Sequence, residues 1–412
     1  AAYGSDAVAG VVNFHIKDRI NGITGTVQTG ISEAGDNSEF RASLAAGGEW
    51  LDGRLRVSVG GDYINNKGAD NQYSRDWGRK EVGLITNTAY ATNGLPQYII
   101  SENVRPSLMT PGGLITSGPL RGTQFLLGGG TAPFNYGQVF GASMIGGDKA
   151  GENLSKKTRL ALPFESTILM GSTSFEVSPA VNAFFQVNSA WSNSRYASQQ
   201  PRDNGTLTIR RDNAYLPGSV RAAMDANNLQ TISVGRLNND SGPIGVLSKN
   251  QTLRFVGGFK GDLGAGWSYE TYAEYGRNKY HLETGPNNRI TANFTRAIDA
   301  VVNPASNTIV CRSTLTDPGN GCRPQNIFGD GSVVVDDYSF GLAQFDMKTE
   351  QRVASFNMNG SPVSTWAGPI SIALGAEYRK ESVSSTSDPL STHVQPSGAV
   401  GAFVIGNQVP IK

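Results

Sequence analysis

The sequence predicts an all-β chain, an antiparallel sheet of the membrane-spanning barrel type, and three observations carry that prediction. Stretches of about ten residues alternate apolar and polar side chains, so that each has one greasy and one polar face. These stretches come in pairs joined by a few residues, while long connections separate one pair from the next. Trp50, Trp267 and Trp366 all stand beside the short turns, each in a different pair. An indole ring is amphipathic and settles at the boundary between membrane and water, which gives a reason for that clustering.

Composition agrees. Of 412 residues, 51 are Gly, and only 17% are charged. Such a mixture serves alternating strands with polar turns better than it serves helices. No window approaches the roughly 18 uninterrupted apolar residues that a spanning helix requires. The formal charge of +1 gives no reason to expect nucleic acid as a partner.

Taken in order, nine strands are expected near 22–32, 39–50, 54–66, 166–177, 181–196, 250–261, 267–284, 348–361 and 368–384. In the first three, Ile23 and Val27, then Phe40, Ala42 and Leu44, then Leu55, Val57, Val59 and Tyr63 share the apolar face. Arg41, Arg56 and Asp62 fall on the other. The fourth strand alternates poorly, whereas the fifth places Ala183, Phe185, Val187 and Trp191 together. The seventh sets Trp267, Tyr269, Ala273 and Tyr275 against Ser268, Glu270 and Glu274. The ninth sets Ile370, Ile372, Leu374, Ala376 and Tyr378 against Glu377 and Arg379. Long loops are expected at about 67–165, 198–249, 286–346 and 385–412, with a short amphipathic helix at 217–229 and a flexible Gly-rich stretch at LLGGGTAPFNYGQ. Loops of this length are uncommon in compact soluble domains.

The residues that carry chemistry are few. Cys311 and Cys322 flank a Pro-Gly-Asn-Gly turn, so a local disulfide is the simpler reading, with two free thiols as the alternative. A zinc site wants four ligands, and His15, His281 and His393 are scattered. No spacing singles out a nucleophile, base and orienting group, so no enzyme is expected. Neither GDKAGENLSKKT nor GGFKGDLGAG fits a phosphate-binding fingerprint. No cofactor or metal is expected.

The opening stretch, Tyr3-Gly4-Ser5-Asp6-Ala7-Val8-Ala9-Gly10-Val11-Val12-Asn13, resembles the end of the plug domain in TonB-dependent outer-membrane receptors. Phe14-His15-Ile16-Lys17 departs modestly from the run that usually follows there. AIDAVVNP, the CRS…GCRPQNIFG loop and GAEYRKE add weaker likeness in the order the family would show. The resemblance implies that residues 1–18 end a plug and that 19–412 begin a closed barrel of about 22 strands. The chain would then be an internal fragment, with an energy-coupling box before Ala1 and further strands after Lys412. Arg41, Arg56, Asp62, Glu270, Glu377 and Arg379 would face the plug or a watery lumen, with simple solvation on one face of a sheet as the alternative. The implied function is energised uptake of a siderophore–iron complex across a Gram-negative outer membrane. Oligosaccharide uptake is the alternative, ahead of a barrel hydrolase or a soluble β-adhesin. The implied partners are the TonB complex, outer-membrane lipid, lipopolysaccharide and the imported ligand.

Overall fold

The computed structural model describes residues 20–148 and 158–411. The plug-like stretch from Tyr3 to Asn13 lies outside them.

One antiparallel sheet of nine strands organises the chain. Its strands are β1 (Gly22–Gly30), β2 (Glu39–Trp50), β3 (Leu55–Asn66), β4 (Phe164–Ser178), β5 (Val181–Ala197), β6 (Gly245–Gly264), β7 (Trp267–Arg289), β8 (Phe340–Thr365) and β9 (Gly368–Ser387). Their order in space is their order in sequence, so each strand pairs with its neighbours in a simple meander. This is what short turns at one end and long connections at the other require, since each strand must return beside the last.

All nine expected strands are present, and β2 has the expected bounds. The first stops at Gly30 rather than at 32, because Ser32 accepts the Gly35 N–H and donates its own to Asp36 O in a tight turn. At the loop end, β6, β7 and β8 run several residues beyond expectation. Those extensions lie above the apolar stretch and carry Lys249, Arg289 and Asp346, so alternation of greasy and polar residues no longer marks them.

The register places the apolar sets of all strands on one face. Val27 opposes Ala42, Ala42 opposes Tyr63, and Tyr63 opposes Thr167. Phe185 opposes Thr173 and Gly257, Tyr275 opposes Phe255, and Phe356 opposes Thr271 and Ala376. Because side chains alternate strictly, a slip of one residue in any pair would break this face. The poorly patterned β4 explains itself here: Leu169 and Phe175 share the apolar face, but Ile168 and Met170 point to the other.

The long connections are not empty loops. Ile115 and Phe125 from the first, Ile209, Met224 and Val234 from the second, and Phe294, Ile327 and Phe328 from the third are buried together in one core. A five-stranded sheet joins the first two connections, in the order Arg202–Arg210, Thr231–Leu237, Leu114–Ile115, Thr123–Phe125, Thr131–Pro133. The Gly-rich stretch therefore contributes ordered strand, contrary to the expectation of a flexible loop. The expected helix is present as Gly218–Ala226, burying Val220 and Met224. A second helix, Thr291–Ile298, buries Phe294, Ala297 and Ile298. After β9 the chain returns, and Ala402 and Phe403 pack on Ile290 and Ala343. Among the described residues, no helix is long and apolar enough to cross a membrane.

Candidate ligand-binding and transport surface

The two faces of the large sheet meet different surroundings. The apolar face is open: Ile23 is 79% exposed, Leu44 60%, Leu374 55% and Tyr378 65%. The other face carries Ser58, Val256 and Ser355, which are 6%, 5% and 7% exposed. A water-soluble sheet does the reverse, burying its greasy face and wetting the polar one. Burial of apolar surface is the main driving force of folding, so an open apolar face this wide calls for an apolar surrounding.

The aromatic residues at the turn end fit that surrounding. Trp366 sits fully exposed in the β8–β9 turn, Trp50 closes β2 and opens outward, and Trp267 begins β7. Trp267 lies over Gly360, its register partner, where an added Cβ would come within 2.5 Å of the indole. Trp50 covers Gly48 in the same way. Glycine at these two positions lets the rings lie flat along the sheet.

Opposite the apolar band, the structure puts the six charged residues singled out from sequence on one face. Arg41 Nε donates to Asp62 Oδ2 at 2.9 Å, and Arg56 Nε to Glu49 Oε1 at 2.9 Å. Arg379 pairs with Glu377 at 2.9 Å along β9, while Glu270 stands in register between Lys260 and Asn357. Arg254 and Glu274 add a 2.6 Å pair that sequence reading did not list. Pairs as exposed as Arg41–Asp62 contribute about 0–1 kcal/mol each, so they mark a hydrated polar surface rather than a source of stability.

Above the sheet, ion pairs lock the loop unit. Arg236 is fully buried and donates to Ile327 O at 3.0 Å, Asn238 Oδ1 at 2.7 Å, Gly329 O at 3.0 Å and Asp240 at 2.5 and 2.9 Å. One guanidinium thus ties the second connection to the third. Burial alone would raise the Asp240 carboxyl; the Arg236 charge and hydrogen bonds outweigh it, and the group is held below its ordinary value. Arg289 grips Asp203 through two bonds of 2.7 and 2.9 Å, joining the top of β7 to the second connection. Arg312 reaches both Asp212 and Asp299, and its hydrogen bonds hold the Asp212 carboxyl down. Cys311 and Cys322 form the disulfide, closing the chain beside Arg312. None of these arginines could be singled out from sequence; the one local signal is the spacing of Arg236 and Asp240, four residues apart.

Two cavities lie at this level. One of about 680 Å³ is bounded by β4 to β9 above the apolar band and lined by residues including Trp191, Lys249, Tyr280 and Asp346. The other, of about 380 Å³, lies where the top of β5 meets the second connection and the segment after β9, with Tyr196, Gln200, Arg202 and Val404 on its walls. Gln200 is buried, donates Nε2 to Asn239 Oδ1 at 2.7 Å, and its side-chain carbonyl has no protein partner. His281 bridges two carboxylates, with Nδ1 2.8 Å from Asp346 and Nε2 3.1 Å from Glu283. Both ring nitrogens are therefore taken. Among the described residues, no group of three or more His, Cys, Asp or Glu is placed to hold a metal ion.

No protein-family model and no curated protein matches this chain. Solved structures do. The chain is similar to the ferripyoverdine receptor of the outer membrane of Pseudomonas aeruginosa bound to ferripyoverdine, with 9% identity and a TM-score of 0.39 over 96% of this chain and 33% of that one. It is similar to the siderophore receptor PiuA from Acinetobacter baumannii, with 11% identity and a TM-score of 0.26 over 89% of this chain and 43% of that one. It is also similar to the closed form of the ferric-catecholate import receptor Fiu from K12 E. coli, with 9% identity and a TM-score of 0.27 over 89% and 43%. All three are receptors. The chain spans less than half the length of each.

Proposed function

We propose that residues 1–18 end the plug and residues 19–412 begin the barrel of a TonB-dependent outer-membrane receptor, and that the intact protein imports a siderophore–iron complex. One observation carries the reading: a nine-stranded meander leaves a wide apolar face open while its charged residues share the opposite face. Lipid supplies the missing partner for such a face, and a plug or watery lumen suits the charges on the other. The plug-like stretch from Tyr3 to Asn13 supports energy coupling, because it joins plug and barrel on one chain.

In this reading, the loop unit held by Arg236, Arg289 and the disulfide captures ligand outside the cell. The polar face, with Arg41, Arg56, Asp62, Glu270, Glu377 and Arg379, lines the route past the plug. A soluble adhesin does not account for the open apolar face.

Uptake of radiolabelled ferric siderophores and of oligosaccharides by cells carrying the intact gene, with and without functional TonB, tests the proposal. Siderophore accumulation that vanishes without TonB is expected. Equal uptake in both strains would make the protein a passive pore, and TonB-dependent uptake of sugar alone would replace the cargo.

A further inference from the structure

One arginine of the loop unit stands apart from the rest. In the second and third connections, Arg211 pairs with Asp225 at 2.5 Å, Arg236 with Asp240 at 2.5 Å, Arg312 with Asp212 at 2.6 Å and Arg323 with Asp337 at 2.7 Å. Arg210 lies 3.8 Å from Asp299, Arg221 donates to the Asn213 carbonyl, and Arg296 donates to Asn293 Oδ1. Arg202 is exposed, and among the described residues its guanidinium has no carboxylate, carbonyl or aromatic ring as partner. It stands on the wall of the cavity of about 380 Å³.

The rest of that wall is of two kinds. Leu162, Ile244 and Val404 bring apolar side chains from three separate segments: the approach to β4, the approach to β6 and the return after β9. Gln200 and Thr158 also line the cavity, and each keeps a buried side-chain oxygen with no protein partner. Such atoms are nearly always hydrogen-bonded, to protein, to water or to a ligand. Water would satisfy these two oxygens. It would leave the guanidinium without a counter-charge and the apolar walls wet.

We propose that this cavity binds a small apolar carboxylate that also carries an N–H donor. Its carboxylate pairs with Arg202, whose parallel N–H groups match two carboxylate oxygens. Its apolar body lies among Leu162, Ile244 and Val404, and its N–H supplies the donor that the Gln200 carbonyl lacks. A volume of about 380 Å³ falls at the low end of ligand pockets, which run from about 300 to 1,000 Å³, so the occupant is small. Bound there, it ties the segment after β9 to the second connection. The inference goes beyond the import reading and does not depend on it.

The test measures equilibrium dialysis of radiolabelled N-acetyl-L-leucine against the intact parent protein in detergent micelles, with N-acetyl-L-leucinamide as the uncharged counterpart. The native protein should bind the acid saturably and roughly tenfold more tightly than the amide. Arg202→Gln, at an exposed and unpaired position, should weaken the acid roughly tenfold and leave the amide unchanged. Val404→Trp fills the cavity and should abolish binding of both, with the circular dichroism of the native protein retained. Absence of saturable binding, equal affinity for acid and amide, or full binding of the acid by Arg202→Gln would each overturn the proposal. Undiminished binding by Val404→Trp would put the probe elsewhere and overturn it likewise. TonB-dependent uptake is a separate measurement, so loss of binding leaves the import reading standing, and loss of uptake leaves the cavity standing.

Discussion

Arg236 is the residue on which the loop unit turns. It is fully buried, and its donors satisfy carbonyl oxygens of Ile327 and Gly329, some ninety residues away in sequence. Truncating it would leave Asp240 as a buried charge with no counter-ion, which typically costs about 3–5 kcal/mol. Arg236→Met should therefore loosen the loop core while leaving the nine strands paired. Faster amide exchange at Phe125, Val234 and Ile327, with β5 to β7 unchanged, is the expected readout; uniform protection across the chain would contradict it. The same pair sets a pH dependence. Asp240 and Asp212 are held below their ordinary values in the folded loops, so the unfolded chain takes up protons first as pH falls. Loop stability should be level above about pH 5 and decline as pH drops below about 4, through the folded values. Denaturation midpoints followed by Trp77, which lies in the first connection, would show this; a midpoint that rises toward acid would refute it.

At the scale of elements, the Cys311–Cys322 bridge spans 11 residues between the Ile309–Cys311 strand and the segment leading to Ile327. Closing a loop of that length is worth about 3 kcal/mol on the chain-entropy account. Reducing the intact protein should expose the 303–324 region to protease well before the sheet is cut, and the unreduced unfolded protein should show no free thiol from this pair. The strands themselves were legible because one face must be greasy and the other polar: Glu39–Trp50 could be bounded from Phe40, Leu44 and Trp50 alone. Legibility failed where that rule lapsed. The upper parts of β6 to β8 carry charge on the band-bearing face, and β4 has apolar residues on both. The loop core was illegible for another reason. Phe125, Val234 and Ile327 come from three separate segments, and no local period announces a contact made across two hundred residues.

At the scale of the whole molecule, the sheet divides its surroundings into apolar on one side and polar on the other, with the loop unit at one end and Trp50, Trp267 and Trp366 at the other. β1 and β9 are the two edges of this sheet. The account rests on the apolar face meeting hydrocarbon. Its most direct test places a small fluorophore singly at positions 183 to 188 of β5 in the intact protein, reconstituted in bilayers of lipid brominated in its acyl chains. Quenching should alternate, strong at Ala183, Phe185 and Val187 and weak at Phe184, Gln186 and Asn188. Uniform quenching, or strong quenching at the even positions, would contradict it.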